Sequence, residues 1–513
     1  MKKMKILAFA IAAAAIPAFG WEKIGVVQVT DTTGLMRAVT QVGEMTGNQA
    51  LGVMAAARLS ALPCDSFFGA MRPGTSMVFP LFAEEGEDDM EIAVIYPVSL
   101  SKSQFLAMHQ DAVETNGCWK VKGAPLGLES SRCETTFVRW TQDGKWAVAS
   151  DSIEQVEKSM DEVENAKRPM NGALARVVIF PRGFEMLRKE MDKKLADCGD
   201  EDERKQCEIA KIAADGVSMA GLSLKVTEAG IELGGKISVV EGSELARLGE
   251  GIDCFAPASI PSGDAFYSSK TAYGRVQPEE TQRIWKEICE IAETRKFPLA
   301  KFASLAAKED GAKVVMDVKA ITAWVKENED AANEIEWDDF IEKTIAVKSG
   351  KIPVSKQSYG IGMEFKDHKM RHSAATRLAK ILPETNGKSL VAAYSLSLTG
   401  MIQGFVNSAM AALEPEEAMA IAPIVALLPE ETEGGIASAL WKDGSNYVFL
   451  SRISAGEIKA IGTGTSALMA YFMFSNAVDD EPPPDFEMDL DDDDDDADEE
   501  ADEDDTSASL TEE

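Results

Sequence analysis

Three histidines are all that this chain of 513 residues offers for proton transfer near neutral pH. Two of them, His368 and His372, stand four apart in "EFKDHKMRHS". On a helix that spacing puts both imidazoles on one face, as two ligands of one metal ion require, with Asp367 or Glu364 able to add a carboxylate. The surroundings disfavour a cation: Lys366, Lys369 and Arg371 crowd the pair, and no Glu accompanies it in a zincin arrangement. His109 lies far away in sequence. The stretch also reads simply as a solvated, basic helix start.

Other chemistry-bearing patterns are decoys. Gly387-Lys388-Ser389 has the ending of a phosphate-binding loop, but Leu382 stands where the leading glycine belongs. A helix precedes it and a strand follows, the reverse of the order that aims backbone amides at phosphate. "GTGTSA", Gly462–Ala467, fits a dinucleotide pattern on paper yet has no second βα unit after it. Ser99-Leu100-Ser101-Lys102 with Lys348-Ser349-Gly350 imitates a penicillin-interacting serine enzyme, although the second triplet falls where a hairpin turn is expected. No Ser or Cys nucleophile motif stands beside a histidine. The catalytic residues, if any, are therefore unknown from sequence, and no cofactor is expected.

The ends say more than the middle. Lys2, Lys3 and Lys5, an apolar run over 6–19 and Ala18-Phe19-Gly20 make the three parts of a secretory leader. The run is short for a membrane span. At the other end residues 479–513 carry 21 acidic and no basic side chains. Taking away that tail and the +3 of the leader brings the formal −34 to −16 for residues 21–478. Such a body repels nucleic acid. The tail, "DDEPPPDFEMDL" and beyond, is expected to stay disordered because like charges resist collapse. Its carboxylates would attract Ca²⁺ only weakly and diffusely, for it has no glycine-containing calcium loop.

One segment has the opposite balance. Lys343, Lys348, Lys351, Lys356, Lys366, Lys369, Arg371, Arg377, Lys380 and Lys388 give residues 343–388 ten basic side chains against three acids. The expected partner of the tail is this basic patch or another protein, with Phe486, Met488 and Leu490 docking as an added edge strand. Seven cysteines follow the leader, and an exported chain is free to oxidise them. Cys118–Cys133 and Cys198–Cys207 are the close pairs; "GDEDERKQ" between the latter reads as the link of a helical hairpin.

What must position all this is a recurring strand, helix, hairpin, helix pattern. Strand–helix entries begin at "IGVVQVTDTTGLMRAV", "ARVVIFPRGFEML", "DAFYSSKTAYG" and "SLVAAYSLSLTG". Hairpins turn at Asp143-Gly144, Ala229-Gly230 and Asp443-Gly444, with Leu222, Leu224, Val226, Ile231, Leu233, Ile237 and Val239 alternating around the second. A longer, less regular hairpin is read in "KTIAVKSGKIPVSKQSYGIGMEF". The expected fold is α+β: repeated strand–helix–hairpin–helix units with mainly antiparallel sheets and a disordered acidic C-terminal tail. The expected divisions are a signal peptide at 1–20, units at 21–170, 171–255, 256–385 and 386–478, and the tail at 479–513. Together these point to an exported protein, periplasmic or extracellular, that binds or scaffolds without catalysis. The alternatives are an exported hydrolase with a loop-assembled site, or a membrane tether through the uncharged residues 460–478, which glycines and hydroxyls make a poorer span than a buried helix.

Overall fold

The computed structural model describes residues 22–47, 75–83, 90–98, 101–122, 135–167, 170–197, 201–261, 263–273, 276–328 and 356–476, with positions 50, 53, 54 and 57 besides. The expected leader, the acidic tail with Phe486, Met488 and Leu490, and Cys133, Cys198, Lys343, Lys348 and Lys351 lie outside them. The chain divides into two compact units, Met1–Leu468 and Met469–Glu513. The large sheet and its helices belong to the first; of the second, residues 469–476 are described, as helix.

From the N-terminus come strand β1 (Glu22–Thr30), helix α1 (Thr32–Thr46), strands β2 (Ser76–Ala83), β3 (Met90–Ile92) and β4 (Val94–Pro97), and helix α2 (Lys102–Met108). Strands β5 (Val113–Thr115), β6 (Cys118–Lys122), β7 (Thr135–Trp140) and β8 (Trp146–Ser150) precede helices α3 (Ile153–Ser159) and α4 (Val163–Ala166). Next are β9 (Ala173–Ile179), α5 (Pro181–Asp197), α6 (Glu201–Gly216), β10 (Val217–Thr227), β11 (Gly230–Val239) and α7 (Glu244–Leu248). The third stretch holds β12 (Ala265–Thr271), α8 (Pro278–Thr294), α9 (Leu299–Phe302), β13 (Ala303–Lys308), β14 (Gly311–Met316), α10 (Val318–Glu327), β15 (Tyr359–Phe365) and α11 (Ala374–Ile381). Last are β16 (Leu390–Leu396), α12 (Leu398–Met410), α13 (Pro415–Val425), β17 (Ile436–Asp443), β18 (Asn446–Ser454) and α14 (Ala455–Asn476).

These strands form one large, mostly antiparallel sheet, so the chain is α+β. Pairings run β5-β6-β7-β8-β4-β2-β1-β9-β10-β11 and continue β18-β17-β16-β12-β15-β14-β13, with β3 also on β2. Among the described strands only β14 and β15 run parallel. The sheet passes unbroken through the divisions expected at 170, 255 and 385, since β1 pairs with β9, β11 with β18 and β12 with β16.

Local chemistry explains the elements. Gly144 and Gly444 take φ of 65° and 64° in their hairpin turns, which the Asp-Gly pairs supply without a Cβ clash. Asp31, Ser101, Ser243, Ser373 and Ser397 each accept a backbone N–H as the N-cap of the helix that follows. Two expectations differ. Residues 201–206, part of the stretch 199–206 read as a link, begin helix α6, as their Glu, Lys and Gln content permits. And a β13–β14 hairpin turning at Glu309-Asp310 stands where the sequence pattern announced none; of the longer hairpin read over 343–365, residues 343–355 lie outside the described residues, and β15 neighbours β12 and β14.

Helices cover both faces of the sheet. On one, Val156 of α3 with Val163 and Ala166 of α4 packs on Val26, Val78 and Val148. Leu378 and Ile381 of α11 close over Ala437, Ala439, Trp441 and Leu450 in the second half. Elsewhere Met186 of α5 meets Ile24 and Leu81, and Val318 of α10 with Met401 of α12 meets Phe266 and Phe365. Burying such a side chain contributes about 1.5–3 kcal/mol, which is what fixes each helix to its strands.

Candidate binding surface at the centre of the sheet

The β11–β18 pairing carries the sheet from its first half to its second, from Gly230 opposite Ser454 to Ser238 opposite Asn446. Register decides which side chains share a face. On one side Leu222 lies opposite Gly235, Leu224 opposite Leu233 and Ala220 opposite Ile237. Val177 of β9 flanks Leu222, and Phe449 of β18 flanks Gly235. Leu222, Leu224, Leu233 and Ile237 are 41%, 38%, 40% and 36% exposed. The alternation legible in the hairpin is therefore real, but its apolar side is left in part uncovered. Contiguous exposed apolar side chains of this kind mark contact surfaces.

The opposite side carries the charged groups, set among Val178, Val448 and Leu450. Ser223 faces Gly234, Lys225 faces Glu232, and Glu232 faces Arg452. A groove of about 390 Å³ runs here over Gly221 and Gly234, flanked by Arg176, Lys225 and Lys236. Buried Arg452 donates to Glu232, to Glu384 Oε1 at 2.8 Å and to the Ile381 carbonyl. Lys225 Nζ adds a second cation 3.2 Å from Glu232. Burial pushes the Glu232 carboxyl up, but the bonds from Arg452 and Lys225 outweigh it and hold the group below the usual carboxylate range. Arg452 responds in kind: burial lowers it, and Glu384 and Glu232 more than restore it. This network ties β11, β18 and the turn after α11 together and favours the charged forms of Glu232 and Arg452.

The other residues singled out from sequence fall elsewhere. His368 and His372 lie in the irregular link 366–373 ahead of α11, so helical i,i+4 geometry is not what relates them. His368 packs edge-on to Phe365, and its buried Nε2 has no partner among the described residues. The His372 backbone N–H, with that of Arg371, donates instead to the Glu431 carboxylate. Among the described residues no cluster of three His, Cys, Asp or Glu forms a metal-binding group.

The basic segment is largely committed. Lys366 pairs with Asp317 at 2.6 Å, Arg371 with Glu430 at 3.4 Å and Lys380 with Glu433. Lys356 donates to the carbonyls of Arg247 and Glu250. Arg377 is fully buried, bonded to the carbonyls of His372, Ala265 and Phe266, and burial pulls its guanidinium down. Lys369 and Lys388 are the exposed remainder. Cys118 is buried on β6 and Cys207 half-buried on α6, their expected partners lying outside the described residues; Cys254 and Cys289 are free thiols.

Sequence reasoning missed Glu232, Arg452, Glu431 and Glu457. The last is buried and accepts from Thr399 N at 2.7 Å, Thr399 Oγ1 at 2.9 Å and Thr432 Oγ1. A charged residue in the middle of an apolar alternating strand, as in "YVFLSRIS" with Arg452, was the available signal.

No family model and no curated protein matches the chain. A solved structure, crystal form I of TP0453, aligns with 9% identity over 43% of this chain and 77% of that one, at a TM-score of 0.21. No role is transferred from it. No described helix is long and apolar enough to cross a membrane.

Proposed function

We propose that this chain is an exported, non-enzymatic binding or scaffold protein, built of four strand–helix–hairpin–helix units, whose working surface is the apolar side of the β10–β11 hairpin. The single observation behind this reading is the run Leu222, Leu224, Leu233 and Ile237, each more than a third exposed on two adjacent strands. The partner it suits is a protein presenting an apolar face of its own, because apolar burial is non-directional and four such side chains offer an anchor of several kcal/mol. The unit reading is supported by the recurring order β9-α5-α6-β10-β11-α7, β12-α8-α9-β13-β14-α10 and β16-α12-α13-β17-β18-α14. The leader over residues 1–20 supports export to the periplasm or beyond. With most described cations of the 343–388 segment already paired, the acidic tail is better suited to a basic partner protein than to that segment.

The test is capture from the exported fraction by the full chain and by a Leu224→Ser/Leu233→Ser variant, with quantitative comparison of the bound proteins. A partner retained by the parent chain and lost by the variant, at unchanged thermal stability, is the expected outcome. Identical captured sets would remove the hairpin from the function. A third arm lacking residues 479–513 separates the tail's contribution from the hairpin's.

A further inference from the structure

A cleft of about 730 Å³ lies at one end of the first-half strands, where β10 turns into β11. Its volume is that of a small-molecule site. One wall is the face of α1 that bears Thr33, Arg37 and Gln41, three positions spaced by four and therefore stacked one above another. Facing walls come from the tight turn carrying Asn171 and from the β10–β11 turn with Glu228; Ser76 and Trp146 also line the cleft.

The cleft is firmly built. Asn171 and Gly172 take φ of 49° and 79° to close the turn, which the Ala173 N–H to Met170 carbonyl bond of 2.9 Å secures. Ser76 Oγ accepts from Gln28 at 2.8 Å and donates to the Ala166 carbonyl at 3.2 Å. At Gly34 a Cβ would run into the Thr30 side chain, so α1 approaches β1 as closely as only glycine allows. The N-terminus of α1 is not the anion donor here, because Asp31 already caps it through Gly34 N at 2.9 Å.

What is left over is Arg37. The second cation of the cleft, Lys167, pairs with Glu164. Arg37 has no acidic or hydrogen-bonding partner among the described residues, although acids outnumber bases across this body and Arg182, Arg283 and Arg452 all hold carboxylates. A planar guanidinium facing a cleft, with the amide of Gln41 on the same wall and that of Asn171 on a facing one, is the donor set for a carboxylate or phosphate plus a carbonyl or hydroxyl group. We infer that this cleft binds a small organic anion, its acidic group held by Arg37. This does not rest on the apolar hairpin.

The experiment is calorimetric titration of the full chain at fixed ionic strength with two probe sets. Citrate and glutamate represent carboxylates; inorganic phosphate, glycerol phosphate and adenosine monophosphate represent phosphates. Binding by a member of either set, weakened at least tenfold by Arg37→Ala and about threefold by Gln41→Ala, is the expected result, and the set that binds identifies the acidic group. Arg204→Ala on α6 is the control for general charge loss and should bind as the parent does. Arg37 is exposed, so its loss leaves the thermal midpoint in place. No heat from any probe, or equal affinity in Arg37→Ala, would overturn the inference.

Discussion

Replacing Arg452 with Met probes the seam between the two halves of the sheet. In the parent chain this guanidinium is 7% exposed and satisfies Glu232, Glu384 and the Ile381 carbonyl at once. Its removal leaves Glu232, 8% exposed, with Lys225 alone at 3.2 Å. Breaking a buried ion pair by deleting one partner costs about 3–5 kcal/mol. Here the lower end applies, because Lys225 stays and the half-exposed Glu384 regains water. A chain of this size does not unfold in one step, so local opening is the quantity to follow. Amide exchange across 230–239 and 446–454 should speed up about a hundredfold, the equivalent of about 3 kcal/mol at one tenfold step per 1.4 kcal/mol. Adding Glu232→Leu removes the stranded carboxylate and should return most of that protection, since an apolar replacement of a buried pair is near neutral. A single variant with less than a fivefold change, or a double variant less protected than the single, would refute the idea that charge pairing pins this seam.

The same network sets an acid limit. Glu232 titrates lower in the folded chain than in the unfolded one, so its stabilisation is complete above the unfolded carboxylate range near pH 4 and is lost as pH falls through its lower native value. Glu232→Gln should flatten that acid-side loss of exchange protection below about pH 4, and an unchanged acid profile would contradict it. Glu457→Gln turns one acceptor facing Thr399 and Thr432 into a donor; it should cost about 2–3 kcal/mol, read as earlier thermal loss of the near-ultraviolet signal, with Thr432→Val in the same chain restoring part.

The legible and the illegible parts of the fold separate strand by strand. The Asp143-Gly144 and Asp443-Gly444 turns and the alternation around Ala229-Gly230 are local signals, and each hairpin is present. The β13–β14 hairpin escaped because "ASLAAK" is short-side-chained and poor in the β-branched residues that announce a strand. The hydroxyls of Ser243 and Ser373, which cap the helices after them, are signals of the same local kind. Strand order did not follow. The β1–β9, β11–β18 and β12–β16 pairings join positions more than a hundred residues apart, and periodicity within a strand says nothing about its neighbour. The His368–His372 spacing suggested a helix that begins only after Ser373, and it misled for a local reason: Asp367 takes φ of 63°, which a helix does not tolerate.

The two faces of the β11–β18 seam divide the labour. Backbone pairing and the Glu232–Arg452–Glu384 cluster hold the strands from the groove side, where Lys225 and the glycines leave room for charged groups to meet. The apolar side is consequently spared from holding the sheet together. Leu224 and Leu233, opposite each other and partly bare, contribute little to folding compared with the enclosed Leu378 or Leu390. A solvent-facing surface gains nothing from keeping leucine at such positions, since polar residues would fit the same pleat at less risk of aggregation. On the function proposed above a partner covers them, and changing both to serine should lose that partner while the thermal midpoint of the fold stays in place.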